Sequence, residues 1–224
     1  QNEEFIDKEN ISEYVCSEKY TCGVLRKDSF QFHPLNFMNA LAKDCIIKGA
    51  SIFENCKFID YNKNGGKIES NISHKNKILN IHSEKIVFAT GGYGGKEIKD
   101  LKNYWLPIKT FIGVTKPMGS ELQSVLKKPL GFSDNRRAGN YYRVLPGNRL
   151  SWGRGISAVG NFTSSSLKKA ISREISYFFP DLRNIETDYV WSGNMAYASH
   201  YMPYVGTTKI GEDERNVFTI MGFG

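Results

Sequence analysis

With 224 residues, 40% hydrophobic and 13% aromatic, the chain carries enough apolar content for one or two cores, which excludes a disordered or fibrous protein. No run approaches the roughly 20 consecutive apolar residues of a membrane-spanning helix, and the opening Gln1-Asn2-Glu3-Glu4 is unlike a secretory signal. A soluble, cytoplasmic protein is therefore expected. The formal charge of +7 arises from scattered lysines, with Arg136-Arg137 the densest arginine pair, so a basic composition is favoured over a nucleic-acid surface.

Residues 1–12 are charged and aperiodic, a short helix or a ragged start. Residues 20–25 are strand-like, and His33-Pro34 then opens a helix, because proline is tolerated in a first helical turn. Leu35, Met38, Leu41, Ala42, Cys45 and Ile46 recur at helical spacing and predict one apolar face, with Gly49 as the stop. From residue 50 the period becomes strand-like. Residues 57–61, 67–72 and 77–82 are separated by turn-forming Asn and Gly and predict a meander. Residues 85–89 are apolar without alternation, as in a strand buried on both faces, and run into Ala89-Thr90-Gly91-Gly92.

Residues 108–118 read as a long strand closed by Pro117, and residues 141–153 as a hairpin folded at Pro146-Gly147-Asn148. Ser164-Ser165-Ser166 caps a helix whose Leu167, Ile171, Ile175 and Phe178 share a face, with Pro180 ending it. Residues 216–221 form the last strand, before Gly222-Phe223-Gly224. Long antiparallel strands with a few helices make the fold α+β.

A buried strand breaking into Thr90-Gly91-Gly92 suits close approach of an anionic ligand to backbone N–H groups, but serves a plain tight turn equally well. A complete GxGxxG is missing: Gly92-Tyr93-Gly94-Gly95-Lys96-Glu97 fails at its last position, and Gly153-Arg154-Gly155 lacks the third glycine. There is no GxSxG or HExxH motif, the four cysteines form no CxxC pair, and the histidines at 33, 74, 82 and 200 lack metal-ligand spacing. Solvated roles are expected for His74 and His82, and capping or packing for His33. In Tyr141-Tyr142-Arg143, alternation sends Tyr141 and Arg143 to one face and Tyr142 to the other. One face could line a substrate pocket, since arginine holds carboxylates, though an arginine on a strand is more often solvated.

Taken in order, these segments resemble the FAD-dependent oxidoreductases of the D-amino-acid oxidase superfamily. The resemblance rests on residues 20–25, His33-Pro34-Leu35, Gly49-Ala50-Ser51-Ile52, residues 86–92, Phe179-Pro180-Asp181-Leu182, Trp191-Ser192-Gly193, Pro203-Tyr204-Val205-Gly206 and Gly222-Phe223-Gly224. The family begins with a βαβ unit carrying GxGxxG and ends with a helix, and neither stands in this chain. The chain is therefore expected to be a piece of a longer protein, inactive alone.

The resemblance implies FAD contacts at Phe58, Thr90, Gly91, Gly92, Trp191, Gly193, Gly222 and Gly224. It implies a flavin-binding part made of residues 33–103 and 205–224, and a sheet-rich substrate part of residues 1–32 and 104–204. Met195 stands where the family's amino-acid oxidases place a carboxylate-binding arginine, so Tyr141, Tyr142, Arg143 and Met195 are the candidate substrate residues, closest to the gamma-glutamylputrescine type. The implied reaction oxidises the C–N bond of a small amine or amino acid, with oxygen or another electron acceptor, and needs neither a metal nor an identified acid–base residue. The rivals are the oxidoreductase half of a transfer-RNA-modifying enzyme and a noncatalytic flavoprotein fragment.

Overall fold

The computed structural model describes residues 2–94, 105–136, 138–158, 160, 162–182, 184–207 and 216–223. It is α+β, with two compact units: Gln1–Phe32 with Lys109–Gly193, and His33–Ile108 with Asn194–Gly224.

In the first unit, β1 (Glu3–Ile6) pairs antiparallel with β2 (Gly23–Arg26). The charged opening thus becomes a strand. Its partner lies some twenty residues away, and ion pairs Glu3–Arg26 (3.3 Å) and Glu4–Lys27 (2.7 Å) flank the pairing, so local periodicity carries no trace of it.

A five-stranded sheet follows, in the order β11, β7, β10, β9, β8. These strands are β7 (Trp105–Thr115), β8 (Gly131–Ser133), β9 (Tyr141–Leu145), β10 (Arg149–Ser157) and β11 (Thr187–Ala198). The boundary between units falls within β7 and within β11. The β9–β10 turn has Gly147 and Asn148 at φ 78° and 51°, as residues of a tight hairpin.

Helix α3 (Ser164–Phe178) lies on one face of this sheet. Its Leu167, Ile171, Ile175 and Phe178 are buried, as their spacing requires. The capping residue is Thr163 rather than the serine run: its hydroxyl accepts a bond from Ser166 N (3.1 Å). The core joins Ile171, Ile175 and Phe178 to Tyr142, Leu150, Trp152, Phe179 and Leu182, and to Leu122 and Val125 of the short helix α2 (Glu121–Val125).

In the second unit, α1 (Pro34–Ile47) starts at His33, whose Nδ1 accepts from Asn36 N (3.3 Å), so this histidine is a cap. The meander is β3 (Cys56–Asn64), β4 (Lys67–His74) and β5 (Lys77–Ser83), joined by two-residue turns at Gly65-Gly66 and Lys75-Asn76. All four turn residues have positive φ, which matches the twist of antiparallel strands. A second sheet runs β12 (Tyr204–Thr207), β13 (Val217–Met221), β6 (Ile86–Phe88), with β6 and β13 parallel. Ile68, Phe88, Val217 and Met221 make this unit's core, with Phe58, Tyr61 and Trp105 against it.

Two apolar surfaces of this unit differ from expectation. Helix α1 has the expected apolar positions, yet buries none of them: Leu35 is 63% and Met38 57% exposed. Strand β6, expected to be buried on both faces, buries Phe88 but leaves Val87 53% exposed. The pattern encodes a face that wants cover, and no described residue supplies it.

Ile171→Ala would leave a cavity in a fully buried site. It should cost about 2–5 kcal/mol in a denaturant titration, and Thr163→Ala about 1 kcal/mol through the lost cap. Tyr20, packed between Tyr142 and Phe178, has its phenol pushed up to about 12 by burial, with Tyr142 and then Asp134 as further influences. A phenol whose value is raised on folding contributes stability that is present below about pH 10 and is lost as pH rises through 12. Tyr20→Phe should therefore flatten the loss of stability between pH 10 and 12, measured by equilibrium unfolding at each pH.

Candidate functional site

The site begins where β6 ends. Thr90 turns into a one-turn 3-10 helix at Gly91–Tyr93. Gly91 has φ 55°, the left-handed region that glycine adopts without strain, and a Cβ added there would meet nothing within 4 Å. Gly92 has the opposite surroundings. An added Cβ would lie 2.6 Å from the backbone of Asn194 and Met195 in β11, so only glycine allows the turn to rest on that strand. Tyr93 reinforces the seat, its hydroxyl accepting a bond from Asn194 N (3.2 Å). The Thr90 hydroxyl faces Met221 Sδ at 3.8 Å.

Three of the residues expected near a cofactor, Thr90, Gly91 and Gly92, therefore share one turn, and Met195, expected near substrate, packs its backbone against it. Gly222 follows β13 with φ 80°, and a Cβ added there would lie 3.3 Å from Met202 O. Phe58 is half-buried on β3, edge-on to Phe88 at 5.2 Å, and a register shift between Phe58 and Asp60 follows it. Gly224 lies outside the described residues. The backbone at Gly91, open and free of a side chain just beyond the carboxyl end of a parallel strand, allows the close approach that a dinucleotide cofactor needs.

In the other unit, Tyr141-Tyr142-Arg143 divides as alternation requires. Tyr142 is 4% exposed and stacks on Trp152 at 4.5 Å, inside the core with α3. Tyr141 is 44% exposed, and its ring lies across Gly153, where an added Cβ would come within 2.0 Å of it. Arg143 is half-buried and its Nη1 donates to Phe32 O (3.0 Å), so the guanidinium is anchored rather than fully solvated. Tyr141 and Arg143 thus occupy the face opposite the core. Trp191 on β11 is 48% exposed, and Gly193 lies two residues further along the same strand.

Arg136, noted as part of the densest arginine pair, is spent internally. It binds Asp134 (2.8 Å) and stacks on Phe178, while buried Asn140 bridges it to Glu174, with bonds of 2.7 and 3.0 Å when the amide is turned to satisfy both. Arg154 completes the network through Glu174. Residue 137 lies outside the described residues. Sequence reasoning missed this network because its members come from β10, α3 and the β8–β9 loop. It also missed Tyr93 and Gly153, although the glycine opposite a strand tyrosine was a visible signal. Among the described residues no group of three metal-binding side chains forms, and no helix is long and apolar enough to cross a membrane.

The family model described as FAD dependent oxidoreductase matches residues 1–224. A probable oxidoreductase OrdL of Haemophilus influenzae is 28% identical over 92% of the chain and 47% of its own length. The gamma-glutamylputrescine oxidoreductase of Escherichia coli is 22% identical over 98% and 50%. The chain spans about half the length of these curated relatives. Among solved structures, glycine oxidase from Geobacillus kaustophilus superposes with a TM-score of 0.76 at 18% identity, covering 98% of this chain and 57% of that one. L-proline dehydrogenase from P. horikoshii gives 0.75 at 16%, covering 99% and 59%. These two show a shared fold.

Gly153→Ala must displace the Tyr141 ring, whereas Gly92→Ala must displace backbone. The first should alter the environment of Tyr141, read by tyrosine fluorescence against a Tyr141→Phe control, with a small change in stability. Gly92→Ala should cost more stability than Gly153→Ala, about 1–3 kcal/mol as for other overpacked sites, measured by denaturant titration.

Proposed function

Because the chain belongs to the FAD-dependent oxidoreductase family, we propose that the full-length protein oxidises a C–N bond of a small amine or amino acid to an imine. The observation that carries this reading is the seat of the Gly91–Tyr93 turn on Asn194 and Met195, which joins cofactor-type backbone to a position of substrate type within one unit. Thr90, Gly91, Gly92 and Gly222 would hold the dinucleotide, with Gly224 following in sequence. The backbone at Phe58 would meet its adenine end, and Trp191 and Gly193 would border its ring. When bound, the flavin supplies the acceptor for a hydride from the carbon beside the nitrogen.

The chain's own residues position, shield and select. Tyr141, held flat by Gly153, gives the substrate an apolar wall with a polar tip. Arg143, tethered to Phe32 O, keeps donors for a carboxylate or carbonyl on the same face. Tyr142 supports both from behind, as part of the core. The amine reacts in its neutral form, loss of the hydride leaves an iminium, and water then adds to its carbon so that the C–N bond breaks and a carbonyl product and ammonia or an amine are released. Electrons pass on to oxygen or another acceptor.

Met195 in place of an arginine removes one carboxylate anchor, which favours an amine at the end of a longer chain over an α-amino acid. The gamma-glutamylputrescine oxidoreductase relative supports that preference. The unit of His33–Ile108 with Asn194–Gly224 carries most of the residues proposed for the flavin, together with Met195, and the unit of Gln1–Phe32 with Lys109–Gly193 carries Tyr141 and Arg143, together with Trp191 and Gly193. The exposed apolar face of α1 and Val87 of β6 would be covered by the additional length that the relatives have.

Purified full-length protein should carry visible flavin absorbance and turn over terminal amines in preference to α-amino acids. Arg143→Ala should raise KM roughly 10-fold, the equivalent of one lost charge-assisted bond, with less effect on kcat. A protein that binds no flavin on reconstitution would contradict the proposal, and preference for α-amino acids would contradict the reading of Met195.

A further inference from the structure

Tyr141 and Gly153 are the last partners of the β9–β10 ladder. Asn140 stands one residue before Tyr141 and Arg154 one residue after Gly153, and just past Arg154 the register of β10 on β7 shifts. Neighbouring residues point to opposite faces, so while the Tyr141 ring lies away from the core, Asn140 and Arg154 reach the helix side. There both meet Glu174 of α3. The Asn140 amide nitrogen donates to Glu174 Oε1 (3.0 Å), when the amide is turned to satisfy both its partners, and Arg154 Nε pairs with Glu174 Oε2. The Asn140 amide oxygen accepts from Arg136 Nη2 (2.7 Å), and Arg136 also binds Asp134 (2.8 Å). Asp134 N donates to Asn140 O (3.0 Å), closing the β8–β9 loop.

This end of the strand pair is therefore fastened by side chains from the helix. Asn140 is 1% exposed, so losing these partners would leave its amide buried without compensation. The Tyr141 ring depends on the fastening, because its Cε2 lies within 2.0 Å of where a Gly153 Cβ would stand, a contact kept only while the strands keep their spacing. A carboxylate suits position 174 because both its partners are donors, one to each oxygen. Arg136 Nη2, 4.0 Å from Oε1, adds a second cation. We propose that Glu174 is a positioning residue: from the helix side of the sheet it sets the spacing of β9 and β10 at Tyr141, and so holds the Tyr141 ring over Gly153 as a wall of the substrate site. The wall's role rests on the function proposed above; the position of the ring does not.

The test treats full-length protein with tetranitromethane, which nitrates the ring carbons beside a phenol oxygen, of which Cε2 is one. Nitration of Tyr141 is followed by mass spectrometry against Tyr189, 61% exposed on β11. Glu174→Gln keeps the size of the side chain but has one acceptor oxygen, so its nitrogen faces a donor whichever way it turns. The ratio of Tyr141 to Tyr189 nitration should rise roughly threefold in that variant, a modest coupling for residues of one network. Combining Glu174→Gln with Asn140→Asp sets a donor against an acceptor at every contact again: the new amide oxygen accepts from Arg154, its nitrogen donates to the new carboxylate, and that carboxylate accepts from Arg136. The ratio should return to its original value. An unchanged ratio in folded Glu174→Gln would overturn the proposal, as would a raised ratio that the double variant leaves raised. Tyr142, 4% exposed, reports folding, since its nitration requires the core to open. Should Glu174→Gln unfold, Arg154→Met, which removes the β10 arm alone, replaces it, and the ratio must rise there for the proposal to stand. KM for a terminal amine should follow the ratio with kcat little changed, because a wall that only holds substrate acts alike in the ground and transition states. A ratio that rises while KM stays constant would support the positioning and contradict the substrate role of Tyr141 instead.

Discussion

Phe132, Tyr142 and Trp152 sit opposite one another on β8, β9 and β10 and stack in sequence, at 5.3 and 4.5 Å between rings and nearly parallel. Next in line on β7 is Gly113, where a Cβ would strike Ile171 of α3, so the helix settles against the sheet at a place that has no side chain. Successive residues of a strand point to opposite faces. Once this row is committed to the core, Tyr141, Arg143 and Gly153 have only the other face. A one-residue slip of β9 would bury an arginine and expose the stack, a cost that makes the register secure. The orientation of the proposed substrate wall is thus a by-product of core packing.

In the other unit the candidate site arises by omission. Gly91 leaves space beside the backbone and Gly92 removes the atom that would hold β11 away. Two adjacent residues of one type therefore do opposite things, one opening a surface and the other closing a contact. The same unit leaves α1 and Val87 exposed, and the relatives are about twice as long.

Much of this was legible in advance. Helix α3 followed from the spacing of Leu167, Ile171, Ile175 and Phe178, and the meander from alternating runs joined by turn residues, because both depend on neighbours a few positions away. Strand β1 was not legible, since Glu3–Ile6 is extended only by virtue of pairing with Gly23–Arg26. The cap at Thr163 was one residue away from the expected serines, a difference that side-chain geometry decides. His74 read as an ordinary surface histidine, because its contact with Cys56, 3.5 Å from Nδ1 to Sγ, exists only across the β3–β4 register.

By itself the sequence determined the element types, the α+β class, the opposite facing of Tyr141 and Tyr142, and the order of segments that marks the family. Those properties are written in local periodicity and in the stereochemistry of glycine and proline. Only the tertiary structure decided that Gly92 rests on Met195, that Tyr141 lies on Gly153, that Arg136 is consumed by Asp134 and Asn140, and that Cys56 meets His74. Each of these depends on contact between residues far apart in the chain, and such contacts are set by how whole elements pack rather than by any residue's neighbours.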